Sequence, residues 1–295
     1  MTGPRVVCVG DLMVDVSVRL AGPPVPGSDT PARISVQRGG QAANVAAGLA
    51  TQGVSATLVG RVGDDLFGRR VLDELPRERL ELSVSVDPVL STGVCVVLVD
   101  PAGERTMLPD AGANGALGAE PFPARVLGAA TQLYVSGYAL LRPGSRPAAL
   151  AAIGAAREQG CAVAVDLASA APLADVGADA VLNWVGAPTL LLANTDEARV
   201  LVPAQPAADL AYALACLSGE AVVTHGAAGA SWSDGRARAH VPAATLAVLD
   251  STGAGDAFAA GLLAARARGA EPGAALVAGT IAAARVLGRA GARES

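Results

Sequence analysis

A chain of 295 residues in which 52% are hydrophobic and 17% charged has ample apolar material for a large core and too little charge for a disordered chain. Its formal net charge of -5, with a pI near 5.1, argues against nucleic acid or anionic membrane as partner, since both select basic surfaces. All 22 cationic side chains are arginine, which excludes a Gly-x4-Gly-Lys-Ser/Thr phosphate loop and lysine Schiff-base chemistry.

The chain opens on a short apolar run from Arg5 to Val9 that ends in Gly10 and Asp11, the pattern of a buried parallel strand. Val6 to Val9 is too short for a secretory signal, and no later apolar segment reaches about 18 residues unbroken. A cytoplasmic protein is expected. No G-x-G-x-x-G follows the strand, which disfavours a dinucleotide-binding fold.

Asp15 stands within the apolar stretch Met13, Val14, Val16 and Val18, and Pro23, Pro24, Pro26 and Gly27 then break the chain before Ile34 and Val36 resume it. This predicts a pair of strands leaving the sheet, an excursion of the kind that covers a site. Gly39 and Gly40 lead into a helix that ends at Gly53, with Asn44 in its first turn. Paired glycines let a ligand approach backbone amides, and an ordinary tight turn accounts for them equally. Ala56 to Gly60 is the next strand, and the polar loop Arg61 to Gly68 leads to a charged helix expected to end near Leu80.

Thr92 to Val99, a turn at Asp100 to Arg105 and a return over Thr106 to Leu108 form a β-hairpin that could pair with the earlier excursion. Asn114 follows as a turn residue. Strand and helix candidates then alternate: Gln132 to Val135, Pro147 to Glu158, Cys161 to Val165, Thr189 to Ala193 and Ala221 to Thr224. Polar residues at strand ends of such βα units are where open sheets bind ligands. Asp166, Asn194 with Glu197, and Thr224 to Gly229 occupy those places. Asn194 and Glu197, three apart at a helix start, suit either a hydrated Mg²⁺ or a capping box. Asp166 reads equally as a loop cap, and His225 as a satisfied strand-end residue.

Near the C-terminus Asp250 to Asp256 reads DSTGAGD, with a helix starting at or near Asp256 and stopping after Arg266, Arg268 and Gly269. Gly253 and Gly255 let several amides converge at the positive helix end, an anion site, and a carboxylate beside it could take a proton from a hydroxyl. As a plain N-cap Asp256 contributes about 1 kcal/mol. Cys8, Cys95, Cys161 and Cys216 are far apart, as expected of free thiols in a reducing compartment, and His225 and His240 alone make no metal cluster.

In order, Asp15, Gly39-Gly40 with Asn44, the hairpin, Asn194 with Glu197, Thr224-x-Gly226 and the DSTGAGD stretch resemble the ribokinase-like (PfkB) family of sugar and nucleoside kinases. The resemblance spans essentially the whole chain. It implies an α/β fold, a doubly wound, mainly parallel sheet flanked by helices, in a single kinase domain over 1–295. A small β-sheet lid, formed by about 12–38 and 92–114, would be inserted in it. By the same resemblance Asp15, Gly39, Gly40 and Asn44 bind the acceptor, Asp256 is the base, and Gly253, Ala254 and Gly255 form the anion hole. Thr224, Gly226, Gly229 and Thr252 would hold ATP, and Asn194 with Glu197 would organise Mg²⁺ through water. A K⁺ ion would sit by the loop holding Asp250, and dimerisation through the lid is a family possibility.

The chain departs from the family at Asp166-Leu167-Ala168-Ser169, where many members follow the Asp with Asn, so nucleotide contact is not carried over to this loop. Adenine contacts are not assigned to the alanine-rich segment after Gly279. Aromatic residues are only 3% and absent from Val14 to Val18 and Gly39 to Asn44, which favours a sugar over a nucleoside acceptor. Phe122, Tyr138 or Trp184 could still approach. A phosphosugar would need an arginine near the lid, and Arg38 and Arg105 are candidates that are equally readable as solvated. A non-catalytic paralogue would be expected to have lost the base or the glycine loop, and both are present. A dehydrogenase lacks its fingerprint.

Overall fold

The computed structural model describes residues 3–118, 124–128, 130–187, 189–244 and 253–289. Strand β1 (Arg5–Val9) is followed by the antiparallel pair β2 (Met13–Leu20) and β3 (Ala32–Gly39), then by helix α1 (Gln41–Thr51). β4 (Ser55–Gly63), α2 (Leu66–Asp73), β5 (Leu80–Asp87) and a second antiparallel pair, β6 (Gly93–Val99) and β7 (Arg105–Asp110), come next. The remaining chain alternates: α3 (Ala124–Leu127), β8 (Gln132–Ser136), α4 (Gly137–Leu141), α5 (Arg146–Glu158), β9 (Ala162–Asp166), α6 (Ala170–Val176), α7 (Ala178–Val185), β10 (Thr189–Asn194) and α8 (Thr195–Leu201). It closes with α9 (Leu210–Ser218), β11 (Gly219–Thr224), β12 (Ala230–Ser233), β13 (Arg238–Val241), α10 (Ala254–Ala267) and α11 (Pro272–Arg289).

These strands make a nine-stranded sheet in the order β13-β12-β11-β10-β9-β8-β1-β4-β5, parallel from β5 to β11. The short apolar runs read from the sequence become its interior because a parallel strand is covered on both faces. Val6 and Cys8 of β1 point to one core with α1 and α10, while Val7 and Val9 point to the other with α5, α8 and α9. From β1 the sheet grows one way through β4 and β5, and the other way through β8 to β11. The crevice at the carboxyl ends of β1 and β8, where the direction reverses, is where such sheets bind ligands.

A separate four-stranded sheet, in the order β3-β2-β6-β7, combines the excursion and the hairpin as the sequence suggested. Asp15 of β2 lies opposite Gln37 of β3 and Cys95 of β6. Met13, Cys95, Val97 and Val99 form a small buried cluster, while Ile34, Met107 and Leu108 are exposed.

The sequence reading runs a charged helix to Leu80, yet α2 stops at Asp73 and Leu80–Asp87 is an edge strand. Arg77, Glu78 and Arg79 suggested helix, but Arg79 turns the chain with a φ of 60°, and the Leu-Ser-Val-Ser-Val alternation after it is a strand period. The β12–β13 hairpin was likewise unforeseen, its strands being only four residues each.

Helix α10 is pressed between α1 and α11. A Cβ on Gly48 of α1 would lie 2.6 Å from the Ala260 Cβ of α10, and one on Gly261 would lie 2.6 Å from the Ala278 carbonyl of α11. Only residues without side chains permit backbones this close. One helical turn before Gly48 and Ala260 stand Asn44 and Asp256, so the contact sets their separation. Gly48→Val should lower stability by about 1–3 kcal/mol, the usual cost of overpacking, in a chemical denaturation experiment. Unchanged stability would mean that the helices separate freely.

Candidate active site

The α10 start is built around Gly253, whose φ of 75° lies in the left-handed region that glycine enters without strain. The first helical bond visible there runs from the Ala257 N–H to the Gly253 carbonyl, 2.9 Å. The Ala254, Gly255 and Asp256 amides precede it, in the turn whose donors have no intrahelical acceptor. A Cβ on Gly253 or Gly255 would meet nothing within 4 Å, so this turn borders open space. The helix begins at Ala254, two residues before the position expected. Asp250 and Thr252 lie outside the described residues.

Asp256 accepts a hydrogen bond from Asn44 Nδ2 at 2.8 Å, joining two stretches that are 212 positions apart in the chain. Gly39 and Gly40 make the third side. A Cβ on Gly39 would fall 2.3 Å from an Asp15 carboxylate oxygen, and one on Gly40, whose φ is 95°, would fall 2.5 Å from the Asp11 carbonyl. The glycine pair thus brings Asp15, Asp11 and the α1 start into one space, which is more than a turn requires.

Asp11 was not singled out from the sequence, although a polar residue directly after a strand-ending glycine was a signal available there. It is buried, accepting from Ser136 Oγ at 2.9 Å and from the Gln41 N–H at 3.2 Å. Ser136 Oγ also lies 2.6 Å from the Gln41 carboxamide. These contacts tie the ends of β1 and β8 to the start of α1. Asn114, read as a turn residue, is buried and grips Leu12 by both backbone groups, with its Oδ1 accepting at 2.9 Å and its Nδ2 donating at 2.8 Å.

On the other side of the crevice, β10 and β11 end in register at Asn194 and Thr224. The capping box is complete: Asn194 Oδ1 accepts from the Asp196 and Glu197 amides, and Glu197 accepts from the Asn194 N–H at 2.9 Å and from its Nδ2 at 2.6 Å. After Thr224 a tight turn runs from Gly226 to Gly229, closed by the His225 N–H donating to the Gly229 carbonyl at 2.7 Å. His225 is satisfied, with Thr195 Oγ1 at 3.0 Å and Ser231 Oγ at 3.1 Å. Arg38 pairs with Val14, and so lies on the face of the small sheet away from Asp15, donating to the Ala43 carbonyl at 3.2 Å.

Carboxylates crowd this crevice. Burial first, then the charges of Asp166, Asp11 and Asp15, push Asp256 up to about 7 against the pull of its Asn44 hydrogen bond. Burial and the Asp11 charge raise Asp15 to about 6. Asp166 is raised to about 6, and Glu197 to about 8, by burial and, for Glu197, by the Asp166 charge. Paired buried acids held above their usual range suit a divalent cation. Among the described residues no three His, Cys, Asp or Glu side chains group into a cage for a metal ion. Mg²⁺ in general takes few protein ligands and keeps several waters. Glu197 and Asp166 are the residues that would face it, Glu197 keeping a free lone pair on each oxygen.

A sequence profile described as pfkB family carbohydrate kinase matches residues 4–295. The chain belongs to the pfkB carbohydrate kinase family. A fructokinase from Klebsiella pneumoniae is 31% identical over 234 residues, covering 77% of this chain and 76% of that protein. An ATP-dependent ribose-1-phosphate kinase from Halopiger xanaduensis is 32% identical over 266 residues, covering 88% and 84%. The solved structure of a probable sugar kinase from Rhizobium etli CFN 42 superposes with a TM-score of 0.86 at 26% identity, covering 98% of this chain and 94% of its own. This pfkB kinase is a phosphotransferase of the sugar or nucleoside kinase kind, using ATP with a divalent metal. The ribokinase-like fold, with its large, mainly parallel sheet and smaller separate sheet, agrees with the sequence reading. No described helix is long and apolar enough to cross a membrane.

The raised carboxylates have a consequence for stability. A group such as Asp256, whose folded pKa stands above its unfolded value, contributes stability that is full below about pH 4 and lost as pH rises through about 7. Without nucleotide or metal, the melting temperature should fall from pH 5 to pH 8. Asp256→Asn should flatten that fall and melt higher than wild type at pH 8. A variant that melts lower at pH 8 would show that the carboxylate's charged form is a net stabiliser.

Proposed function

We propose that the protein transfers the γ-phosphoryl group of ATP to a hydroxyl of a small sugar, of ribose-like, fructose-like or keto-deoxy-acid-like kind, with Asp256 as the general base. The observation that carries this is the Asn44–Asp256 hydrogen bond, which sets the acid between the glycine pair and the open amides of the α10 start. Asp15, Gly39, Gly40 and Asn44 bind the acceptor. Its hydroxyl gives its proton to Asp256 as the oxygen bonds the γ-phosphorus, and the bond to the β–γ bridging oxygen breaks, its electron pair leaving with ADP. The amides of Gly253, Ala254 and Gly255 stabilise the charge spread over the transferred group.

Thr224, Gly226 and Gly229 hold ATP at the ends of β10 and β11, beside Asn194 and Glu197, and Thr252 is a further ATP contact. Mg²⁺, facing Glu197 and Asp166 through water, supplies charge neutralisation of the phosphates when bound. A K⁺ ion near Asp250, a small sheet that acts as a lid, pairing of two copies through that sheet and a cytoplasmic location complete the proposal. A sugar is favoured over a nucleoside because Tyr138, the aromatic ring beside the crevice, is covered by Arg142, 5.2 Å from its centroid, and that face is not free to stack a base.

ADP release measured over a panel of pentoses, hexoses, ketohexoses, 2-keto-3-deoxy acids, sugar phosphates and nucleosides tests this reading, with and without K⁺. Asp256→Asn should lower turnover by about 10² to 10⁴ while ATP still binds, and near-normal turnover would remove Asp256 from its role. Because the base must be ionised, kcat/KM should rise with pH through about 7. Asn44→Ala should move that limb upward, since it removes the bond that favours the ionised form.

A further inference from the structure

Arg5, Arg38, Arg61, Arg146 and Arg266 are half-buried, and each donates to a carboxylate, hydroxyl or carbonyl oxygen. Arg142 is half-buried too, yet among the described residues its guanidinium has no oxygen within bonding reach and only lies over the Tyr138 ring. A guanidinium carries five donors, and leaving them dry and unpaired is costly. In a crevice rich in acids, a cation committed to none of them is available for something else.

The surroundings of Arg142 say where that is. It follows α4 directly, at the carboxyl end of β8 beside the reversal of strand direction. Tyr138 feels the charges of Asp11 and Glu197 as well as Arg142. Across the gap, Cys95 of the small sheet is drawn one way by Asp15 and the other by Arg142. Cys95 and Asp15 are direct partners in the β2–β6 register, and so share a face. The Asp15 charge acts on Asp256, and Cys95 feels both Asp15 and Arg142.

We propose that Arg142 determines acceptor specificity: it selects a sugar bearing a carboxylate or a phosphate ester, held between Tyr138 and Cys95 while a distant hydroxyl of the same molecule reaches Asp256. The proposal rests on the kinase reading above. Arg38 and Asp256 feel each other's charge, but Arg38 already donates to the Ala43 carbonyl, so Arg142 is the cation left to offset the repulsion an anionic acceptor would meet among Asp11, Asp15, Asp166, Glu197 and Asp256. A neutral sugar needs no cation there. The place of Arg142 over Tyr138, 5.2 Å from the ring centroid, positions its guanidinium, which can offer the two parallel bonds that carboxylates and phosphates accept.

The test measures ADP release by wild type, Arg142→Gln and Arg142→Lys with fructose, fructose 6-phosphate, ribose, ribose 1-phosphate and 2-keto-3-deoxygluconate. Wild type should favour an anionic acceptor over its neutral counterpart by about tenfold or more in kcat/KM, and which acceptor responds tells carboxylate from phosphate. Arg142→Gln should raise the KM for that acceptor by about 10- to 100-fold and leave the KM for neutral sugars within about twofold, with Lys recovering part of the loss. A neutral sugar as best acceptor, indifferent to Arg142→Gln, would overturn the inference, as would equal weakening of neutral and anionic acceptors. ATP bound but no ADP released with any acceptor would overturn the kinase reading, and this inference with it.

Discussion

The near-contact of α1 and α10 is the constraint on which the rest of the site depends. Gly48 and Ala260 let the two backbones meet, and one turn away that meeting becomes the bond between Asn44 and Asp256. Because α11 closes on the other flank at Gly261, α10 has no room to retreat. A local choice of small residues on two helices thus holds an acid from the end of the chain against an amide from its beginning. In the pfkB kinases, which bring an alcohol and a phosphate together, such positioning is most of what catalysis requires.

Around that contact the fold concentrates like charges, at a cost. Asp11 lies just after β1, and Asp15, Asp166, Glu197 and Asp256 come from β2, β9, α8 and α10, so the acids are gathered from separate segments. Burial and the neighbouring charges are what raise Asp256 and Glu197 above the usual carboxylate range. An acid titrating near neutrality suits the role of base proposed for Asp256, and a crevice crowded with acids suits a metal–nucleotide complex. The same crowding makes Arg142, with no oxygen partner among the described residues, conspicuous.

Much of this was legible in the sequence, for definite reasons. The parallel strands showed as short apolar runs ending in Gly, Asp, Asn or Thr, and the glycine loop before α10 and the glycine pair before α1 are local patterns. What eluded the sequence depends on adjacency between distant segments. Asp11 gains its meaning from Ser136 and Gln41, which meet it only when β1 and β8 lie side by side. Arg142 looks like any surface cation until the small sheet brings Cys95 opposite it. Arg38, a candidate near the lid by position, pairs with Val14 on the face away from Asp15, yet its charge and that of Asp256 still act on each other. Strand β5 was hidden by the charged residues that precede it, and β12 and β13 by their brevity.

The small sheet meets the large one where residues 10–12, 39–40, 91–93 and 111–114 converge. There Asn114 clasps Leu12, Thr92 bonds Asp65, and Ala113 bonds the Ser91 carbonyl at 2.7 Å. Asp15 sits close to this margin, whereas Cys95's neighbours Val97 and Val99 lie farther out along the small sheet. In the lid reading proposed above, tilting about this margin would move Asp15 little and the outer rows of the sheet more, widening or narrowing the crevice for molecules of different length.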